Sequence, residues 1–204
     1  NKGLYLQSLR ILEKVKDLAK VYHQESFLIQ VISLEKKIET LHITGSGESA
    51  ADRLTSEANE VNEQRTMITG LSNLALQLYQ WYVKHGHARN EKDEKGVKLF
   101  FKKNLQADPQ KITGFYQLLY LYQSYCWYAF IRQDFLMYYR YSKKWVDLFN
   151  KEPLMITVET GHYIKGLHNL LTANFDLRNF KKFDKYIARF ERFTLSKPAN
   201  QHDN

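Results

Sequence analysis

The chain has 204 residues, 44% hydrophobic, 14% aromatic and 25% charged, which is enough apolar material for one sizeable domain or a short repeat array. Nine glycines and three prolines are too few for the frequent turns of a β-sandwich, and the same figures exclude a collagen or a disordered chain. Net charge is +8, and a single cysteine, Cys126, excludes an internal disulfide framework. The lone thiol and the lack of an Asn-x-Ser/Thr sequon both suit a reducing cytoplasm, the expected location.

Taken along the chain, hydrophobic spacing predicts helices throughout. Residues 4–22 place Leu9, Leu12, Val15, Ala19 and Tyr22 on one side of a leading helix. This element stands where a second helix lacks its first-helix partner, so it either caps the molecule or follows further chain. The opening Asn1-Lys2-Gly3-Leu4, without Met, makes further chain the expectation. Phe27, Val31, Leu34, Ile38 and Leu41 then step by four and three residues, an amphipathic stripe. A break at Thr44-Gly45-Ser46-Gly47 leads to a helix over about 48–65. Met67, Leu71, Leu74, Leu78 and Trp81 mark the next helix, which stops at His85-Gly86-His87 before one over about 91–106.

Residues 112–131 are apolar nearly all round, which predicts burial on several sides. The run from Phe115 to Ile131 is short for a bilayer and holds Gln117, Gln123, Ser124 and five tyrosines, so it reads as a buried helix and no membrane span is expected. After Arg132-Gln133-Asp134 a partner helix covers about 134–150. Tyr163, Leu167, Leu170 and Leu171 belong to a helix over 155–175. Asp176-Leu177-Arg178-Asn179 then turns into a last helix over 179–195, whose buried face carries Phe180, Phe183, Ile187, Phe190 and Phe193.

These helices fall into a repeat. Ile68-Thr69-Gly70, Ile112-Thr113-Gly114 and Ile156-Thr157-Val158 begin 44 residues apart, and Pro109, Pro153 and Pro198 are spaced 44 and 45. Proline lacks the N–H a helix interior needs and restrains its predecessor, so each should end one helix pair and open the next. Asp108 before Pro109 is read as an N-cap with proline at the first helical position. The expected fold is an all-α, right-handed α-solenoid of antiparallel helix pairs over residues 1–204. Its parts are a leading helix at 4–22, pairs at 25–65, 66–106, 110–150 and 154–195, and a tail at 196–204.

Asn169-Leu170-Leu171, the turn Arg178-Asn179-Phe180 and the helix from Phe183 resemble the small and aromatic packing positions of the tetratricopeptide-repeat superfamily. Asn73-Leu74-Ala75 has the same register. The third unit departs, with Ser124-Tyr125-Cys126 and bulky Tyr138 at those places, and the period exceeds the family's usual 34 residues. The resemblance implies a scaffold or adaptor that holds a peptide or partner helix on a concave face, with no chemistry of its own. The family's groove register implies Ser72, Leu76, Tyr79 and Gln80, then Gln123, Trp127 and Phe130, then Lys165, His168 and Thr172. Core filling weighs more than groove exposure for Trp127, given its apolar flanks.

The charge supplies the alternative. Residues 1–100 carry 14 Lys/Arg against 13 Asp/Glu, and residues 101–204 carry 16 against 9. Lys181, Lys182, Lys185, Arg189 and Arg192 recur at helical spacing as a candidate positive stripe, read either as a solvated outer face or as a nucleic-acid surface. Repeats of a nucleic-acid reader would show paired polar readout residues, and these do not. No catalytic site, metal site or cofactor is expected. His85 and His87 lack further ligands at fixed spacing, His162 and His168 fall on different faces, and Cys126 sits in an apolar run as an inert thiol. Gly45-Ser46-Gly47 has no strand before it to make a phosphate loop. The acidic start at Glu91, Asp93 and Glu94 is a solvated helix N-terminus.

Overall fold

Apolar residues at intervals of three and four close into helices along the chain. A computed structural model describes residues 2–41, 47–105, 108, 109 and 111–195. In order these are α1 (Lys2–Val21), α2 (Glu25–Leu41), α3 (Gly47–His85), α4 (Glu91–Asn104), α5 (Phe115–Ile131), α6 (Phe135–Lys151), α7 (Leu154–Val158), α8 (Thr160–Asp176) and α9 (Phe180–Leu195). The fold is all-α, with no strand among the described residues. The expected break at Thr44-Gly45-Ser46 and the tail from 196 lie outside them.

Each long helix rests on the next. α1 packs on α2, α2 on the first half of α3, the second half of α3 on α5, α5 on α6, α6 on α8 and α8 on α9. α4 lies beside α3 and α5, and α7 fills the corner between α6 and α8. The buried side chains divide in the same way. Ala19, Leu28, Ile32, Leu54 and Ala58 join the first three helices. Leu74, Leu78, Val97, Phe101 and Ile131 join α3, α4 and α5. A larger cluster around Phe115, Leu119, Trp145, Phe149 and Leu167 joins α5, α6 and α8.

Three turns share one geometry. His23, Gln133 and Arg178 have φ of 52°, 57° and 53°, and the following N–H reaches back five residues. Gln24 donates to the Ala19 carbonyl at 2.7 Å, Asp134 to Ala129 at 2.9 Å and Asn179 to Asn174 at 2.8 Å. This left-handed residue satisfies carbonyls that the helix end would orphan. The Asp134 carboxylate then accepts the Met137 N–H at 2.9 Å and caps α6. The second and third of these turns join α5 to α6 and α8 to α9, where the sequence places polar breaks.

Several expectations change. The helices read over 48–65 and 67–85 are one continuous α3 of 39 residues, about 58 Å long at the rise of an α-helix. One period before Pro109 the chain carries Arg65, with its N–H intact, and nothing stops the helix there. The three repeat markers accordingly take three conformations. Ile68-Thr69-Gly70 is mid-helix, Ile112-Thr113-Gly114 is a connector, and Ile156-Thr157-Val158 lies in α7. Asp108 is not an N-cap for the following helix. Ile112 is buried beside Leu71 and Leu121, which holds the chain extended until Gly114, whose N–H is accepted by Gln117 Oε1 at 3.3 Å at the start of α5. The helix read over 155–175 is likewise interrupted, with Glu159 between α7 and α8 at φ −116° and ψ 46°.

The buried face of α2 is also turned from the expected one. Leu28, Val31, Ile32 and Glu35 face inward, while Phe27, Leu34 and Leu41 are exposed. Glu35 fixes this rotation: its carboxylate lies 2.8 Å from the Lys16 ammonium, which is also 3.0 Å from Glu57, so one buried cation ties α1, α2 and α3 together. Burial pulls Lys16 down, but the two carboxylates outweigh it and leave the ammonium above its ordinary value. Burial pushes Glu57 up, and Lys16 and Lys20 more than reverse that, holding it below the usual carboxylate range. Phe180, expected on the buried face of α9, is exposed at the start of that helix.

Candidate functional site

α5 and α8 flank α6, and the space between them is a pocket of about 140 Å³. α5 contributes Gln123, Trp127 and Phe130, and α8 contributes Lys165, His168 and Thr172. All six are residues the register singles out in those two helices. They meet because i, i+3/i+4 and i+7 positions of a helix share a face, and α6 sets the two faces side by side. The floor belongs to residues outside that register: Tyr138 and Trp145 of α6, with Cys126 of α5 and Asn169 of α8.

Trp145 is 1% exposed and its indole Nε1 has no hydrogen-bond partner among the described residues. Gly166 makes room for it. A Cβ at that position would stand 2.9 Å from Trp145 Cδ1 and 3.1 Å from Nε1, so the pyrrole edge of the indole lies against the turn of α8 that carries Lys165 and Asn169. Cys126 is buried, its Sγ 3.6 Å from Ser142 Oγ. Burial pushes its thiol up to about 12, which fits the inert thiol expected.

Trp127 both packs and lines the pocket. It is half-buried, with its ring 5.2 Å from Tyr79, 5.7 Å from Tyr82 and 6.0 Å from Phe130. Through it Tyr79, 46% exposed, continues the surface onto α3. The remaining α3 candidates lie outside the pocket. Leu76 and Gln80 are exposed on the same helix, and the Ser72 hydroxyl donates to the Thr69 carbonyl at 3.0 Å.

The positive stripe on α9 divides. Lys182 donates to the Tyr139 hydroxyl at 3.1 Å and stands over that ring. Arg189 donates to the Tyr163 hydroxyl at 2.9 Å and also reaches Asn150. Lys181, Lys185 and Arg192 are exposed. A spacing of seven residues puts Lys182 and Arg189 on the flank that meets α6 and α8, away from the line through 181, 185 and 192. The five cations therefore do not form one free surface.

The histidines separate as well. The His85 ring meets the Trp81 carbonyl and the His87 ring meets the Phe130 carbonyl, and no cluster of three metal-ligating side chains occurs among the described residues. His162 pairs with Glu159 at 2.9 Å, while His168 lines the pocket. A second, polar pocket of about 280 Å³, unanticipated from sequence, lies where the α1–α2 turn and the start of α2 meet α3, α5 and Glu159. There the Tyr116 hydroxyl donates to Glu159 at 2.7 Å and His23 pairs with Glu152. Burial and Glu159 together raise the Tyr116 phenol above its ordinary range, so it is a donor locking the turn in place. A long open groove of about 820 Å³ runs beside α3, past Asn62, Thr66, Gly70 and Gln77.

No described helix is long and apolar enough to cross a membrane. Comparison with protein-family models, with curated proteins and with solved structures gives no match.

Proposed function

We propose that this chain is a protein-interaction module, a tetratricopeptide-like array of helix pairs that holds a peptide or partner helix between α5 and α8. In this reading it is a cytoplasmic scaffold or adaptor without catalytic chemistry or cofactor. The observation that supports it best is the convergence of Gln123, Trp127, Phe130, Lys165, His168 and Thr172 on one pocket. Amides and aromatic rings at a concave site offer large contact area at small entropic cost. The sequential packing of helices and the repeated hairpin turn at Gln133 and Arg178 favour an array of pairs. Nucleic-acid binding through α9 is less favoured, because Lys182 and Arg189 are already held by Tyr139 and Tyr163.

The test is a photo-crosslinking residue at Thr172, in the pocket, against one at exposed Lys98 on α4. Crosslinks to a common peptide segment from Thr172 alone, abolished by a groove-filling Gln123→Trp change in a folded protein, are expected. Equal capture from both positions, or capture indifferent to Gln123→Trp, contradicts the reading.

A further inference from the structure

The hairpin of α1 and α2 leaves two apolar stripes uncovered. Leu4, Ile11 and Leu18 on α1 and Phe27, Leu34 and Leu41 on α2 are each 47–73% exposed, and both sets repeat every seven residues. The short turn at His23 makes the helices antiparallel. Leu18 therefore stands level with Phe27, Ile11 with Leu34 and Leu4 with Leu41, in three layers about 10 Å apart. The core-facing side chains, Lys16 and Ala19 of α1 with Leu28, Ile32 and Glu35 of α2, point toward α3 instead. Val15, Leu18, Tyr22 and Phe27 line one open groove of about 490 Å³ between the two helices, bounded near the turn by Val158 of α7. Single exposed apolar residues need no partner, but a contiguous double row marks a contact surface. A seven-residue interval keeps a seam against a neighbouring helix over several turns. Here that interval runs along both walls in matching layers, which is the geometry that a third helix fills.

The rim supplies the charge. The positions three residues after the stripe residues flank the groove on its solvent side, and they carry Gln7 and Lys14 on α1 and Gln30 and Lys37 on α2, all exposed. Arg10 lies one turn before Lys14. Glu13, Asp17 and Glu39 fall on sides of their helices turned away from the groove. Neither Lys14 nor Lys37 forms an ion pair among the described residues. A second copy of the chain would set one basic rim against another, which disfavours self-pairing, whereas acids beside an apolar seam complement this rim. We propose that the groove between α1 and α2 receives a partner's amphipathic helix, with large aliphatic residues at a heptad interval along its seam and aspartate or glutamate on both flanks. The partner's aliphatic residues interdigitate with the three layers, and its acids lie opposite Lys14 and Lys37. This surface is separate from the pocket between α5 and α8 and does not depend on it.

The test uses the full chain and fluorescein-labelled helical peptides made of three repeats of Glu-Leu-Ala-Ala-Leu-Glu-Ala, with a counterpart carrying lysine at every glutamate. Anisotropy titration at low salt should show the glutamate peptide binding about tenfold more tightly than the lysine peptide, with the gap narrowing as salt rises. Ile11→Gln and Leu34→Gln, both at exposed positions, should each weaken the glutamate peptide about tenfold, with circular dichroism confirming the fold. Lys14→Glu combined with Lys37→Glu should reverse the preference in favour of the lysine peptide. Equal binding of the two peptides overturns the proposal, as does binding that Ile11→Gln and Leu34→Gln leave unchanged, or no binding of either peptide. Light scattering that finds a dimer in the parent chain and a monomer in Leu34→Gln overturns it in favour of a second copy. Sedimentation with phosphatidylcholine–phosphatidylserine vesicles that is lost in Leu34→Gln, with no peptide bound, overturns it in favour of a lipid surface.

Discussion

Replacing Gly166 by alanine tests whether Trp145 sits where the pocket requires it. In the middle of α8, glycine costs about 1 kcal/mol relative to alanine, so the change should stabilise the helix by that amount if nothing else happened. Here the new methyl would meet Cδ1 at 2.9 Å, Nε1 at 3.1 Å and Cγ at 3.2 Å of an indole that is 1% exposed and surrounded by core. The ring is rigid, and three of its atoms are too close at once, so a rotamer adjustment at a chain end cannot relieve the contact. Overpacking of this kind costs about 1–3 kcal/mol, and the net expectation is a loss of about 1–2 kcal/mol. Gly70 supplies the control, since a Cβ there meets nothing within 4 Å; Gly70→Ala should gain up to about 1 kcal/mol. Urea unfolding followed by circular dichroism reads both as opposite shifts of the midpoint. Adding Trp145→Phe to Gly166→Ala should return part of the loss, because the two residues are coupled through the contact itself. A Gly166→Ala protein as stable as the parent would refute the placement of Trp145 against α8 and, with it, the floor of the pocket.

Lys16→Met should cost about 3–5 kcal/mol, because it leaves Glu35 buried without its cation, and Lys16→Met with Glu35→Leu should recover much of that; thermal and urea melts decide. Since Glu57 is held below the ordinary carboxylate value, its contribution is present at neutral pH and is lost as pH falls through its folded value. Lys16 is held above its ordinary value, so its contribution is full below the usual lysine range and is lost as pH rises through the raised value. A melt that is flat across the acid range argues against the buried pair. Gln133→Gly and Arg178→Gly should each stabilise by about 0.5–1 kcal/mol, glycine relieving the left-handed backbone while losing more entropy on folding; a loss at both sites would contradict the shared turn. Cys126, with its thiol pushed up to about 12, should resist thiol reagents at pH 8 until the protein unfolds, whereas rapid labelling of the native protein would show it exposed.

Much of the helical layout is readable from spacing alone. Met67, Leu71, Leu74 and Leu78, or Tyr163, Leu167 and Leu170, sit at helical intervals that only one buried face explains, and the polar breaks at Gln133 and Arg178 are true turns. What escapes has identifiable causes. The marker tripeptides and prolines suggest a uniform unit, yet a helix ends only where something stops it, and Arg65 stops nothing. The rotation of α2 is set by Glu35, a residue that any hydrophobic scale assigns to solvent and that turns inward only because Lys16 and Glu57 come from two other helices. The walls of the pocket are legible because they lie in register along α5 and α8. Its floor is less so, since Trp145 reaches the pocket from α6, through a gap that exists because residue 166 is glycine. The pairing of a large aromatic residue with a small one on the next long helix is the signal that points there, but it is meaningful only once α6 and α8 are known to touch.

The most direct measurement is the set of indole N–H resonances from the three tryptophans in a ¹⁵N-labelled sample titrated with the peptide segment that crosslinks to Thr172. Trp127 and Trp145 line the pocket, whereas Trp81 packs against Phe100 and His85 on the α3–α4 side. Binding between α5 and α8 predicts that the Trp127 and Trp145 signals shift together while the Trp81 signal stays in place. A shift confined to Trp81, or saturated binding that leaves Trp145 unmoved, would contradict the account.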